Sequence, residues 1–181
     1  MEYISLEYIF FITTSLFVFS FIYNLKQRKI ISALQSYEES ALHHSFYDAL
    51  TELPNRDNIE VIITEHIHIA SRHAKSFCTL VIKANDYKKL KEHSVKDADK
   101  LSCKIADAML ASTRDEDTVA RVSPEHYIVV FNEYLELEHY QVPLSRIEEA
   151  LSGINVSYAR SIYPQDARST TALIDGLLKK V

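Results

Sequence analysis

The spacing of apolar positions changes character along the chain. From Tyr8 to Leu25 no charged residue occurs, and Phe, Ile, Leu and Val crowd every turn. Such a run has no polar face to show to water and is close to the roughly 17–25 residues that cross a bilayer. Glu2 and Glu7 precede it, and Lys26, Arg28 and Lys29 follow at once. That asymmetry predicts one transmembrane anchor over 1–25, single-pass in the inner (cytoplasmic) membrane, with the rest of the chain in the cytoplasm. A cleaved signal peptide fits poorly, because a basic leader and a small-x-small cleavage site are both missing.

After the anchor the period becomes helical. Ile31, Leu34, Tyr37, Ala41 and Leu42 recur at three- and four-residue steps and predict a connecting helix over 26–46. The globular domain is expected over 47–181. Ile59, Ile62, Ile63, His66, Ile67 and Ala70 mark one helical face, and Leu101, Ile105, Ala108 and Met109 mark another within Asp97 to Ser112. Phe77 to Ile82 is a short apolar run and reads as a buried strand. Thr118 to Phe131 holds two β-rich runs around a polar tip and reads as a hairpin. Ser145 to Leu151 predicts a short helix stopped near Gly153. Ile154 to Tyr163 predicts a strand ended by Pro164. Ser169 to Lys180 predicts a last helix capped by Ser169 or Thr170. Helices alternating with strands define an α/β fold, a mixed sheet flanked by helices.

Composition removes several functions. The net charge is -5, which excludes nucleic acid as a partner, since phosphate binding needs a basic face. Two cysteines, Cys78 and Cys103, sit in apolar patterns and predict reduced core thiols. With only Gly153 and Gly176, no glycine-rich phosphate loop can be built. His66 and His68 resemble a metal pair, but residues two apart on a helix point to different faces. His66 and His73 lie two turns apart, too far to chelate. His43-His44, in the connecting helix, carries no signal beyond residue type. Lys88, Lys89, Lys91, Lys96 and Lys100 form a basic stretch, read either as a solvated face or as a contact for anionic headgroups.

The order of motifs points further. Asp48-Ala49-Leu50-Thr51-Glu52-Leu53-Pro54-Asn55-Arg56 resembles the D-x-L-T-G-L-x-N-R opening of GGDEF domains, with Glu52 in place of Gly. Lys83-Ala84-Asn85-Asp86-Tyr87-Lys88 stands where that family has D-x-D-x-F-K. Val156-Ser157-Tyr158-Ala159 with Tyr163-Pro164 is similar to its V-S-x-G-x-A-x-Y-P strand. The resemblance covers everything after the connecting helix and implies the fold of the diguanylate cyclases, a nucleotide-cyclase palm. Active members join two GTP molecules into cyclic di-GMP with carboxylate-held magnesium.

Residue by residue, the resemblance implies a degenerate site. The first metal carboxylate falls on Lys83. The hairpin tip, Gly-Gly-Asp/Glu-Glu-Phe in the family, is Ser123, Pro124, Glu125, His126 and Tyr127 here. Glu125 alone keeps a carboxylate. The guanine-reading Asn and Asp fall on Lys91 and Lys100, and the chain reaches Val181 before the family's phosphate-binding Lys and Arg. An ammonium about 4 Å from a divalent ion costs on the order of 8 kcal/mol at an effective dielectric near 20. Lys83 either pairs with Glu125 in place of the metal or extends into water. Arg114 and Asp117 match R-x-x-D, the family's inhibitory site, where Arg and Asp grip cyclic di-GMP. Their other reading is structural: Arg114 ends a helix and Asp117 serves a turn.

Three functions follow as expectations. The first is a membrane-anchored, catalytically inactive signalling or interaction module, a homodimer or the partner of an active cyclase. It uses no cofactor, where the family uses magnesium and GTP. The second is a cyclic di-GMP receptor through Arg114 and Asp117. The third is a diguanylate cyclase or nucleotide hydrolase with a rebuilt site.

Overall fold

The computed structural model describes the backbone of residues 6–132 and 140–181, with side chains except those of 6–9 and 32–44. The chain divides into two units, Met1–His43 and His44–Val181. Helix α1 (Leu6–Phe46) runs without a break past the expected boundary between 25 and 26, as no Pro or Gly interrupts it. The expected transmembrane span is not found: among the described residues no helix is long and apolar enough to cross a membrane. Thr13, Thr14, Ser15, Ser20 and Asn24 dilute the described apolar positions, and Lys26, Gln27 and Arg28 end them. Thr13 and Thr14 donate to the Phe10 carbonyl at 2.9 and 2.8 Å, and Asn24 donates to the Ser20 carbonyl at 2.8 Å. The side chains of Leu34, Tyr37, Ala41, Leu42, His43 and His44 lie outside the described residues.

Among the described residues the second unit is built on four strands: β1 (Phe77–Ala84), β2 (Thr118–Ser123), β3 (His126–Val130) and β4 (Val156–Tyr163). Their order is β2-β3-β1-β4. Every neighbouring pair is antiparallel, so the expected mixed sheet is corrected to an antiparallel one. The helical crossover from β1 to β2 suggested parallel neighbours. The hairpin instead inserts β3 between those two strands.

β1 is central and buried on both faces, which explains its unbroken apolar run. Cys78, Leu80, Ile82 and Ala84 join the core under α4 (Val95–Ser112) and α5 (Gln141–Ala150). Phe77 and Val81 join the core under α2 (Arg56–Arg72) and α6 (Thr170–Leu178). Leu80, Ile82, Phe77 and Val81 each contribute about 1.5–3 kcal/mol by their burial. Burial pushes the Cys78 thiol up to about 12, so it is an inert core group. Cys103 is also free, but only partly buried, with its Sγ 3.7 Å from the Leu50 carbonyl oxygen.

Helices α2, α4 and α6 start where side chains cap them. Asn55 Oδ1 accepts from Asn58 N–H at 3.1 Å and opens α2, whose buried face is Ile59, Ile63 and Ala70. Ser94 Oγ accepts from Asp97 N–H at 3.2 Å and opens α4. Ser169, one of the two caps expected, accepts from Ala172 N–H at 3.3 Å and opens α6. A further helix, α3 (Tyr87–His93), precedes α4 and ends at Ser94. Helix α5 begins at Gln141 rather than Ser145, because Pro143 is tolerated in a first turn, where its missing N–H is not needed.

Glu52 holds φ at 57°, in the left-handed region. Its N–H donates to the Asp48 carbonyl at 2.8 Å within the loop that precedes α2. An L side chain there costs about 1–2 kcal/mol, and glycine's added chain entropy returns about 0.5–1 kcal/mol of the gain. Glu52→Gly is therefore expected to raise the unfolding free energy by about 0.5–1 kcal/mol in urea titrations. An unchanged or lowered midpoint would contradict this.

Candidate functional site

The hairpin tip is closed by its own side chains. Ser123 Oγ accepts from the His126 N–H at 3.2 Å and sits 2.8 Å from His126 Nδ1. The register of β2 against β3 shifts between Arg121 and Ser123, which fits Pro124 and Glu125 into the turn. The Glu125 carbonyl accepts from Ala84 N–H at 2.8 Å, tying the tip to the end of β1. The Glu125 carboxylate is 3.0 Å from Lys88 Nζ and 3.9 Å from His126 Nδ1.

Arg121 is the most engaged side chain behind the tip. Its side chain is 5 % exposed. One guanidinium nitrogen donates to Asp48 Oδ1 at 2.9 Å, and the other to Ser102 Oγ and the Pro124 carbonyl, both at 3.0 Å. The rings of Tyr87 and Tyr127 each lie with their centroids 5.9 Å from the guanidinium carbon. Burial works against the Arg121 charge, but the Asp48 bond and the two tyrosines hold its pKa above the ordinary value. Burial also raises Asp48, yet the bonds from Thr51 and Arg121 bring its carboxyl below the usual range. Tyr127, the last tip position, is fully buried and donates its hydroxyl to the Ser102 carbonyl at 3.3 Å.

The other expected site residues are placed as follows. Lys83 Nζ donates to the Val181 main-chain oxygen at 3.0 Å. Neither expectation for Lys83 holds: it is not free in water, and the ammonium on Glu125 belongs to Lys88. Lys91 is exposed and lies 5.9 Å from the centroid of the Tyr87 ring. Lys100 pairs with Asp97 at 3.0 Å. Asp117 is engaged locally: Oδ2 accepts from Arg114 N–H at 3.1 Å, and Oδ1 from Asn132 N–H at 3.2 Å. The Arg114 guanidinium is 3.6 Å from Glu116. His66 lies against Phe77, with ring centroids 5.6 Å apart.

These donors do not fit magnesium, which takes near-octahedral oxygen ligands. Glu125 is the one carboxylate at the tip and has an ammonium on it. Asn85, two residues past Lys83, donates to Asn155 Oδ1 and Ser157 Oγ, both at 3.0 Å. Asp86 accepts from Asn155 Nδ2 at 3.0 Å. Among the described residues no group of three His, Cys, Asp or Glu side chains could hold a metal ion. Sequence reasoning missed Arg121, although a charge inside a strand buried on both faces signalled it. Lys88 was named in the motif and in the basic stretch, but its pairing with Glu125 was not foreseen.

The described strands thus form an antiparallel sheet flanked by helices, with the hairpin tip against the end of β1. The family model described as "Diguanylate cyclase, GGDEF domain" matches residues 45–169, and the chain belongs to the GGDEF domain family. The diguanylate cyclase TpbB of Pseudomonas aeruginosa (strain UCBPP-PA14) is 23% identical over 153 residues, covering 78% of this chain and 35% of that protein. The chain thus spans about a third of the length of the curated relatives it matches. The coiled coil and GGDEF domain of DgcB from Caulobacter crescentus, in complex with c-di-GMP, has a TM-score of 0.74 at 14% identity. That match covers 85% of this chain and 87% of the other. Diguanylate cyclase SiaD of Pseudomonas aeruginosa, in complex with its activator SiaC, has a TM-score of 0.60 at 19% identity, covering 96% and 74% of the two chains. Similarity at these identities establishes the fold.

Burial lowers the His126 pKa, and Lys83 and Lys88 lower it further against the opposing pull of Glu125. Burial likewise lowers His66. Both rings bind protons more readily unfolded, where the pKa is about 6.5. Their contribution to stability is complete above that value and is lost as pH falls through the window down to the folded pKa. Urea titrations from about pH 7.5 to about pH 5 should show falling stability, with a shallower slope in His126→Asn. Equal slopes in the two proteins would remove His126 from this account.

Proposed function

We propose that this chain is a GGDEF-domain module of cyclic di-GMP signalling that performs no cyclase chemistry and acts through protein contacts, with a second copy or with an active cyclase. The observation that carries this reading is the ammonium of Lys83 at the end of β1, where the resemblance expects the first metal carboxylate, with Glu125 the one carboxylate at the tip. Metal-assisted phosphoryl transfer needs a dication where phosphate charge develops, and an ammonium in place of a metal carboxylate disfavours it. The base-reading positions support the same conclusion. Lys91 and Lys100 offer ammonium donors where the resemblance expects an amide and a carboxylate. A rebuilt cyclase or hydrolase is correspondingly disfavoured.

The receptor reading is weaker. Both Asp117 oxygens already accept main-chain N–H groups, and Glu116 sets a negative charge beside Arg114. A dianionic ligand would meet that charge on approach. Membrane attachment belongs to this proposal through α1. Phe10, Phe11, Phe17 and Phe19 are 65%, 71%, 74% and 70% exposed, and Lys26, Arg28 and Lys29 follow. Exposed aromatic surface on that scale is stabilised by an apolar phase. The inner membrane, with the GGDEF domain in the cytoplasm, is the corresponding location.

The test is incubation of the full chain with GTP and magnesium or manganese, followed by separation of the nucleotides. No cyclic di-GMP is expected. Product that disappears in Glu125→Ala would overturn the proposal. Calorimetry with cyclic di-GMP should give no heat; heat abolished by Arg114→Ala would establish the receptor reading instead. Cell fractionation should place the full chain in the membrane pellet, and recovery in the soluble fraction would remove the attachment.

A further inference from the structure

On the reading above, in which the chain acts through protein contacts, we infer that the outer edge of β4 pairs with β4 of a second copy, antiparallel and centred on Tyr158. Among the described residues β4 is an end strand, with β1 as its one partner. Asn85 N–H donates to the Asn155 carbonyl at 3.1 Å. By the alternation of an antiparallel ladder, Ser157, Ala159 and Ser161 then turn their main-chain groups to β1. Val156, Tyr158, Arg160 and Ile162 turn theirs outward. Ile162 is closed off by Asp166, which accepts from its N–H and donates to its carbonyl, both at 2.8 Å. The Arg160 carbonyl accepts from Lys180 Nζ at 3.1 Å. Among the described residues nothing bonds the other outward groups: the N–H of Val156, Tyr158 and Arg160, and the carbonyls of Val156 and Tyr158. Such a row is a template for another strand, and no Pro or Lys between Val156 and Arg160 blunts it.

The open groups are symmetric about Tyr158, as a two-fold pairing requires. Tyr158 exchanges both bonds with Tyr158 of the second copy, and Val156 does so with its Arg160, whose carbonyl has a second lone pair. The side chains of these residues stand on the α5 side of the sheet, where Val156 and Ile162 join the core. There a cleft of about 410 Å³ between α5 and β4 is lined by Leu80, Leu144, Ser145, Glu148, Tyr158 and Arg160. Charge selects a second copy over a strand of another sequence. Arg160 is exposed and pairs with no carboxylate among the described residues. Glu148 accepts from the Tyr158 hydroxyl and also lies beside Val156. In the two-fold register Arg160 of each copy falls opposite Val156 of the other, and so next to its Glu148. The symmetry makes that ion pair twice, whereas a parallel pairing sets the two arginines side by side.

The test is a disulfide across the two-fold axis. Tyr158→Cys is made in the full chain, with Cys103→Ser to remove the other accessible thiol and melting curves to check folding. Facing Cα atoms of a bonded antiparallel pair lie about 5.5 Å apart, within the roughly 4.4–6.8 Å that a disulfide spans. Mild oxidation is expected to give a cross-linked dimer that a reductant returns to monomer. Glu92→Cys, exposed on α3, should give at least about fivefold less dimer in the same background. Arg160→Glu added to Tyr158→Cys should cut the dimer about fivefold, and Glu148→Arg added to both should restore it. No dimer from folded Tyr158→Cys overturns the inference, and so does an equal yield through Glu92→Cys or an undiminished one with Arg160→Glu. A cross-link in cells to a different protein alone also overturns it, and gives the edge to a foreign strand. GTP turnover in the same samples keeps the two claims apart. Monomer without turnover overturns the pairing and leaves the inactive module standing. A cross-linked dimer that makes cyclic di-GMP does the reverse.

Discussion

One buried charge organises the described part of the GGDEF domain. Arg121 enters a strand that is covered on both faces, and its cation needs partners there, because an unpaired buried charge costs several kcal/mol. It finds them on three separate pieces of chain: Asp48 in the opening loop, Ser102 on α4, and the Pro124 carbonyl at the hairpin tip. Its own N–H donates to the Pro54 carbonyl at 2.8 Å, which brings the end of the same loop onto β2. The opening motif, the helix and the hairpin are therefore set against each other by one guanidinium. Its Nε has no hydrogen-bond partner, so the clamp is strong at its two ends and not complete along its length.

This clamp acts below the tip and does not depend on what the tip carries. Ser123 and Pro124 replace glycines that the resemblance associates with substrate approach, yet the strands still meet and Glu125 still reaches the end of β1. The frame and the make-up of the tip are thus separable in physical terms. The frame rests on apolar burial on both sides of β1 and on Arg121. At the rim, Lys83 donates to the Val181 main-chain oxygen and Lys88 pairs with Glu125.

Much of the frame was legible in the residues, and particular features explain where legibility stopped. The helical faces of Ile59, Ile63 and Ala70, and of Ile105 and Met109, follow from spacing alone. So do the buried run of β1 and the hairpin. Helix α3 escaped notice because only Tyr87 and Leu90 in it are apolar. The strand directions were misread because periodicity records which faces are buried, not which strands are neighbours. At the site, motif register located the tip and the end of β1 but not the pairing across them. Lys83 and Glu125 lie close in the family pattern, while the side-chain directions that give Glu125 to Lys88 are set by α3, the helix the pattern did not reveal.

The central claim is that the Arg121–Asp48 pair, and not a bound ligand, holds the hairpin to the opening loop. A double-mutant cycle of Arg121→Gln and Asp48→Asn, followed by urea unfolding of the ligand-free chain, tests it most directly. Asp48→Asn alone should destabilise by about 3–5 kcal/mol, since it leaves the Arg121 charge buried, and Arg121→Gln by less, since the Asp48 side chain is 26% exposed. The pair together should cost less than the sum, with a coupling of about 1–3 kcal/mol. Additive losses, with coupling within about 0.5 kcal/mol of zero, would contradict the account.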